Sequence, residues 1–537
     1  MFMNRFFKYF TATILLSGCA GTGNIISGSN TWFDDYDATP TGTPATLQYG
    51  RLSDGYGAMD SGSDTQNIAV LLPLSGQNAQ IGKTIRASVE TAVLQRAPKS
   101  LSVSFYDTNN NLSETINTVL ETNPRIIIGP VFADNARLVR ESKPSELPVL
   151  SFTSDATAIG DGVMTMALMP SNGIEMIMQE MKTDGTKKFI IIAPDTKSGH
   201  LMAGTAKSVA SEYDMTLNGI FFYNEGDTDS IKNAGATASM NTARTTAHTR
   251  ARHVLSDVLT NERLTAIEKS NLNSQLSKLS RTEALGTLPY DAILFLGNGN
   301  DTKSLASFLR YYNVGARDAR FYGTTMWDGS DIASDFTMSG AKFATLPEMN
   351  QNFANVYELV SGTIPNRLAT FGYDATNMAI DMIYSGQTSS AYLLNPSGYI
   401  GTDGLFRLKP NGISERGLNI VELNGSGTPR VIKAAPSNFI TPLYKMTDHY
   451  VTPAESMSLQ TPGIDPDDYI NLPERLRDKY RSKAIGTNIT ATPTVQKSEL
   501  VAILPEDVGD PITSENYKPI KHESISRSYI DEYEIEE

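Results

Sequence analysis

From Ile68 onward, apolar runs alternate with amphipathic stretches about every 30 residues, a rhythm that few architectures accommodate. Apolar runs separated by helical stretches belong to parallel strands, which need a crossover helix between neighbours. The segment 68–74 reads as a buried strand, Ser75-Gly76 as a turn, and 78–95 as a helix with Ile81, Ile85, Val89 and Ala92 at helical spacing. Strands are expected at 101–106, 125–129, 149–153 and 163–169, with helices at 111–121 and 133–142. A second set follows Pro170: helix 174–182, strand 188–193, helix 199–213 and strand 216–223. The rhythm breaks over 229–286, where Val254, Leu255, Val258, Leu259 and Leu264 suggest one or two inserted helices. It resumes with strand 290–297, helix 304–312, strand 320–323 and helix 368–384, and ends with 398–409 and 418–423 as an antiparallel finishing pair.

A chain of 537 residues exceeds the roughly 250 to 300 at which single cores stop growing, so two lobes are expected. The flanks differ in composition. Residues 19–66 are rich in Gly, Ser, Thr, Asn and Asp and read as a tether, and 441–537 read as a mostly disordered tail with a short helix at 473–483. Five of the last seven residues are acidic.

Formal net charge is −14 and the isoelectric point about 5.0, which disfavours a phosphate backbone as partner, so no nucleic acid is expected. One cysteine and five histidines can build neither a disulfide frame nor a Cys/His zinc cage. No HExxH, GxSxG or GxxxxGK[ST] occurs. Ser339-Gly-Ala-Lys342, Ser239-Met-Asn241 and Lys197-Ser-Gly199 fit the three short motifs of penicillin-recognising enzymes, but in reversed order. The chain is expected not to be an enzyme, with no metal and no cofactor.

At the start, Arg5 and Lys8 precede a short apolar run and Leu16-Ser17-Gly18-Cys19. This resembles a bacterial lipobox, which implies a signal peptide over 1–18, lipidation of Cys19 and, with Ala20 following, an anchor in the outer membrane of a Gram-negative cell. The run is too short for the roughly 20 residues of a bilayer span.

Six pieces in order resemble the type I periplasmic binding proteins. They are Ile68 to Gly76 with Ile81-Gly82, Ile126-Ile-Ile-Gly-Pro130, Pro148 to Ser154, Ile191 to Asp195 before Gly199, Phe371-Gly-Tyr-Asp-Ala375, and Gly401-Thr-Asp-Gly404 through Arg416. The resemblance covers about 67–433 and implies an α/β fold of two wound parallel sheets with crossover strands. Lobe 1 is expected over 67–168 and 326–390, and lobe 2 over 169–325 and 391–440. In such folds ligands bind beyond the carboxyl ends of the strands. Candidate ligand-binding residues are therefore Ser75, Ser151, Thr153, Ser154 and Asn298, although helix-cap and turn roles suit the Ser151, Thr153 and Ser154 hydroxyls better.

The positions that amino-acid receptors of this family use are largely replaced: Phe132-Ala133, Ser198 and Asn298-Gly299-Asn300 stand in their places. A lipid anchor on a poorly kept receptor site resembles the penicillin-binding protein activator lipoproteins. That resemblance implies a non-catalytic scaffold that stimulates a peptidoglycan synthase from the membrane. Long members also carry an N-terminal helical-repeat domain, whose pattern this sequence lacks. The other reading is a lipid-anchored receptor for a small periplasmic ligand such as an amino acid or peptide.

Overall fold

The computed structural model describes residues 44–46, 66–96, 101–439, 452–461 and 463–481. The expected signal peptide and Cys19 lie outside them. The chain begins with β1 (Ala45–Thr46) and enters a first wound unit: β2 (Gln66–Leu72), α1 (Ala79–Arg96), β3 (Leu101–Asp107), α2 (Leu112–Glu121), β4 (Ile126–Ile128), α3 (Ala133–Ser142), β5 (Val149–Ser151) and β6 (Val163–Thr165). These strands form a parallel sheet of order β3-β2-β4-β5-β6.

The second unit contains α4 (Pro170–Thr183), β7 (Lys188–Pro194), α5 (Lys197–Glu212), β8 (Thr216–Tyr223), α6 (Thr228–Ala238), α7 (Asn241–Asn261), α8 (Ala266–Leu279), β9 (Ala292–Phe295), α9 (Gly299–Tyr311), β10 (Arg320–Gly323) and β11 (Lys342–Thr345). Its parallel strands run β8-β7-β9-β10-β11, which repeats the winding of the first sheet position for position. The repeat extends to a contact. A Cβ on Gly82 would sit 2.1 Å from the Pro73 carbonyl oxygen, and one on Gly199 would sit 2.0 Å from that of Pro194. In each lobe a glycine thus lets the first helix lie directly on the end of the first strand.

The chain then returns to the first lobe with α10 (Gln351–Ser361) and α11 (Arg367–Tyr384), whose Phe353, Tyr357, Ala369 and Tyr373 pack on Ala92 of α1. A hairpin follows, β12 (Tyr399–Gly401) and β13 (Gly404–Leu408), with β14 (Ser414–Arg416) antiparallel to β13 and β1 parallel to β12. β15 (Asn419–Glu422) crosses back to pair antiparallel with β11, and β16 (Arg430–Lys433) completes the seven-stranded second sheet.

Three expectations need correction. The segment 326–345 was expected in lobe 1, but β11 hydrogen-bonds to β10 and belongs to the second sheet, so that crossing falls at 346–350. The segment 391–416 lies with the first lobe and not the second, because its hairpin packs on α11 and hydrogen-bonds to the end of β6. The strands at 398–409 and 418–423 are not partners: β13 pairs with β12 and β14, and β15 pairs with β11 and β16. Alternation of apolar residues identifies a strand and not its neighbour.

Part of the segment expected to be disordered is ordered. Residues 452–461 run along β8, the edge of the second sheet, through paired backbone bonds between Ile220 and Met457 (3.0 and 3.1 Å). The Asn218 side chain adds a bond to the Gln460 carbonyl at 2.8 Å. An open edge strand invites pairing with other chains, and this segment covers it. Leu459, Ile464, Leu472 and Leu476 are buried in the second lobe's core, each contributing about 1.5 to 3 kcal/mol of apolar burial. The expected short helix is α12 (Glu474–Tyr480).

Candidate functional site

Three connecting segments cross between the lobes, at 166–169, 346–350 and 417–418. Met166, Leu168, Leu346 and Leu418 on these crossings belong to one buried apolar cluster that also holds Ile68 and Val70 of the first lobe and Phe189 and Ile191 of the second. The hinge is therefore packed like a core. Beneath it lies a buried polar network. Arg416 pairs with Asp403 at 3.0 Å and donates to the Met166 carbonyl at 2.6 Å. Thr370 donates to the other Asp403 oxygen at 2.7 Å. Asp374 accepts from the Thr402 hydroxyl at 2.6 Å and from the Thr402 amide at 3.0 Å. Phe371 and Phe406 face the Arg416 guanidinium at 4.3 and 5.0 Å. Burial first, and then the neighbouring Asp403 charge, pushes the Asp374 carboxyl up to about 7, against the opposing Thr402 hydrogen bonds and the Arg416 charge.

Ligands of such folds bind beyond the carboxyl ends of the strands, here those of β2, β4 and β5 in one lobe and of β7, β8 and β9 in the other. Four of the five polar groups expected to serve a ligand have local partners. Ser75 is exposed and its hydroxyl bonds to Asp107, which also accepts from the amides of Leu74 (2.9 Å) and Asn109 (3.1 Å). Burial raises the Asp107 carboxyl, but these hydrogen bonds outweigh it and hold the group below the ordinary range. Ser151 is fully buried and donates to the Pro130 carbonyl at 2.8 Å. Thr153 is buried too, and its hydroxyl accepts from the Asp155 amide at 3.2 Å. Ser154 is half-buried at the same turn. Asn298 caps α9, accepting from the Asp301 amide at 2.8 Å.

A group that the sequence reading passed over bridges the lobes. Asp155 of the first lobe accepts from Arg137 at 2.7 Å and faces Lys197 of the second lobe at 3.8 Å. The Thr157 hydroxyl donates to the same carboxylate at 2.6 Å, and Arg137 also pairs with Asp134 at 2.6 Å. Burial raises the Asp155 carboxyl, and the Thr157 hydrogen bonds with the two cations outweigh it, so the group stays below its usual range. Lys197 is 75% exposed, so its share of this bridge is small, at most about 1 kcal/mol. No spacing rule links 137, 155 and 197; only the approach of the two lobes does.

The three enzyme-like motifs lie on separate elements. Lys342 starts β11 and pairs with Glu180 and Asp184 of α4 and its cap, both at 2.8 Å. Lys197 opens α5 at the opposite, carboxyl edge of the same sheet, and Ser239 caps the end of α6. Among the described residues no group of three His, Cys, Asp or Glu side chains could hold a metal ion.

Two lobes of identical winding joined by three crossings define a type I periplasmic-binding-protein fold. The comparisons agree and go further. The family model of the LppC lipoproteins matches residues 58–227. Over 187 residues the chain is 26% identical to the penicillin-binding protein activator LpoA of Mannheimia succiniciproducens, which covers 34% of this chain and 32% of that protein. The chain thus matches about a third of the length of this curated relative. Among solved structures, a Rhodospirillum rubrum protein assigned to branched-chain amino acid ABC transport superposes with a TM-score of 0.51 at 15% identity, over 68% of this chain and all of that one. The LpoA C-domain of Haemophilus influenzae, a regulator of PBP1A, gives a TM-score of 0.46 at 17% identity over 68% of this chain and all of that domain. The similarity to penicillin-binding protein activator lipoproteins read from the sequence motifs is therefore borne out.

Proposed function

We propose that this chain is a lipid-anchored, non-catalytic activator of a peptidoglycan synthase, held in the envelope through Cys19 and working as a scaffold through its protein surface. The observation that carries the reading is the state of the cleft. Ser75, Ser151, Thr153 and Asn298 spend their hydrogen bonds on the protein itself, and Asp155 joins Arg137 to Lys197 across the lobes. A receptor leaves such groups for its ligand, whereas a scaffold can use them to hold its own shape. Similarity to LppC lipoproteins and to an LpoA activator supports a penicillin-binding protein as the partner. The Ala20 that follows Cys19 supports the outer membrane as the anchoring site.

The test is glycan polymerisation and peptide crosslinking by a bifunctional penicillin-binding protein of the same cell, with and without the purified chain. Stimulation at a one-to-one ratio supports the proposal. In parallel, thermal unfolding is followed with each amino acid and short peptide. A receptor ligand at about 1,000 times its Kd would add about 4 kcal/mol of stability. Such a stabilisation, with no effect on the synthase, would replace this reading with the receptor one.

A further inference from the structure

The two wound sheets end in four edge strands, and an unpaired edge is a template for pairing with another chain. Three of the four are protected. β6 is covered by the loop between β13 and β14, whose Gly412 carbonyl accepts from the Thr165 amide at 2.8 Å. β8 is covered by 452–461. β16 begins with Arg430 and ends with Lys433, and such cations deter edge pairing. The fourth edge, β3, is the exception: it is seven residues long, contains no Lys, Arg or Pro, and is half-buried along its whole length. Among the described residues no strand pairs with its outer side.

The ladder with β2 fixes which backbone groups of β3 point outward. Thr108 donates its amide to the Leu72 carbonyl at 2.8 Å, so the even-numbered residues direct their backbone groups at β2. Those of Leu101, Val103, Phe105 and Asp107 therefore face away. Beside them runs one stripe of α1, Arg86, Glu90 and Leu94, spaced four residues apart. The Arg86 guanidinium lies over the Phe105 ring at 4.8 Å and pairs with Glu90 at 2.8 Å. α1 runs against the strand direction, and one helical turn of about 5.4 Å matches two strand residues at about 6.6 Å, which brings Glu90 level with Val103. Leu94 continues the stripe toward Leu101 and is 72% exposed.

We propose that β3 is a pairing edge between two copies of this chain, joined antiparallel about a twofold axis at Ser104. Self-complementarity selects a second copy as the occupant. Centred on Ser104, the register sets Val103 opposite Phe105 of the second copy, so outward backbone groups meet outward ones and a β-branched side chain meets an aromatic. Leu101 meets Asp107 and Ser102 meets Tyr106, so no like charges lie opposite each other. The same axis brings Glu90 of each copy against Arg86 of the other, because Glu90 stands level with Val103 and Arg86 with Phe105. Leu94 adds apolar surface at the margin, and the two five-stranded sheets become one. This inference does not depend on the activator reading.

Cysteine crosslinking of the purified full-length chain, with Cys19 replaced by Ser throughout, tests the register. Ser104 of the two copies would form a non-hydrogen-bonded pair with Cα atoms about 4.5 Å apart, within the range of a disulfide. Ser104→Cys should therefore oxidise to a dimer, whereas Ser102→Cys, about 13 Å from its own counterpart, should not. Sedimentation tests the charges. One strand and one helix stripe per copy belong with the weak interfaces below about 1,200 Å², so the parent should show a monomer–dimer equilibrium when concentrated. Arg86→Glu and Glu90→Arg should each weaken self-association at least tenfold, and mixing the two variants should restore dimers. A parent that stays monomeric, equal crosslinking of the two cysteine variants, or a dimer indifferent to both charge changes would overturn the pairing. Oxidation among solubilised envelope proteins that joins Ser104→Cys to a different protein instead of to itself would also overturn it and give the edge to that protein.

Discussion

The Arg416 guanidinium sits 3.0 Å from the Asp403 carboxylate, with both side chains buried, and its second nitrogen holds the Met166 carbonyl at 2.6 Å. Met166 opens the first crossing between the lobes and Arg416 directly precedes the third, so one side chain ties two of the three crossings to the first lobe's hairpin. Burying two charges is costly in itself, but removing only one leaves an uncompensated charge in an apolar setting.

Arg416→Met should therefore lower stability by about 3 to 5 kcal/mol in urea unfolding, while the double variant Arg416→Met/Asp403→Asn should recover much of that loss. A single variant within about 1 kcal/mol of the parent would mean that the pair does not hold the hinge.

The same network gives the protein a pH dependence. Asp374 titrates near 7 in the folded chain, above the value of about 3.9 for an unfolded Asp, so between these limits the folded state binds the extra proton. Its contribution to stability is complete below pH of about 4 and is lost as pH rises through about 7. Unfolding free energy should fall between pH 5 and pH 8, and the fall should be smaller in Asp374→Asn. An unchanged pH profile in that variant would contradict this assignment.

His200 clamps the segment that covers the edge of the second sheet. Its Nδ1 lies 2.7 Å from the Ala454 carbonyl, its Nε2 lies 2.7 Å from Asp195, and its ring stacks on Phe222 at 3.9 Å. His200→Ala should speed amide exchange over 452–461 by about tenfold, the equivalent of roughly 1.4 kcal/mol, while β7 and β9 remain protected. Equal exchange in both proteins would show that the backbone pairing at Ile220 and Met457 suffices alone.

Gly82 and Gly199 are a matched pair. Adding one methyl at either position forces a helix away from a carbonyl about 2 Å distant. Each Ala variant should lose about 1 to 3 kcal/mol, as overpacked interiors do, although alanine is the better helix former. Thermal unfolding of the two variants checks this, and a gain in stability at either site would count against the close approach.

The sequence by itself determined the local periodicities and, through them, the fold class. Residues 133–142 and 320–323 were read as the helix and strand that form there, because apolar spacing and flanking turn residues act within a few positions. It also carried the glycine after each lobe's first strand and the Gly401-Thr402-Asp403-Gly404 turn, since turns are written in adjacent residues.

Only the tertiary structure decided which strands are neighbours and which charges meet. The placement of β11 in the second sheet, the pairing of Asp403 with Arg416 beneath Phe371, and the Asp155 bridge to Lys197 all join residues whose separation obeys no period. The packing of 452–461 and 463–481 onto the second lobe belongs with them: Leu459, Ile464, Leu472 and Leu476 are too sparse to show a pattern, and they are buried against an open sheet edge and a helical hairpin. Such contacts are selected by the free energy of the whole packed chain, and so they leave little trace in any short window of sequence.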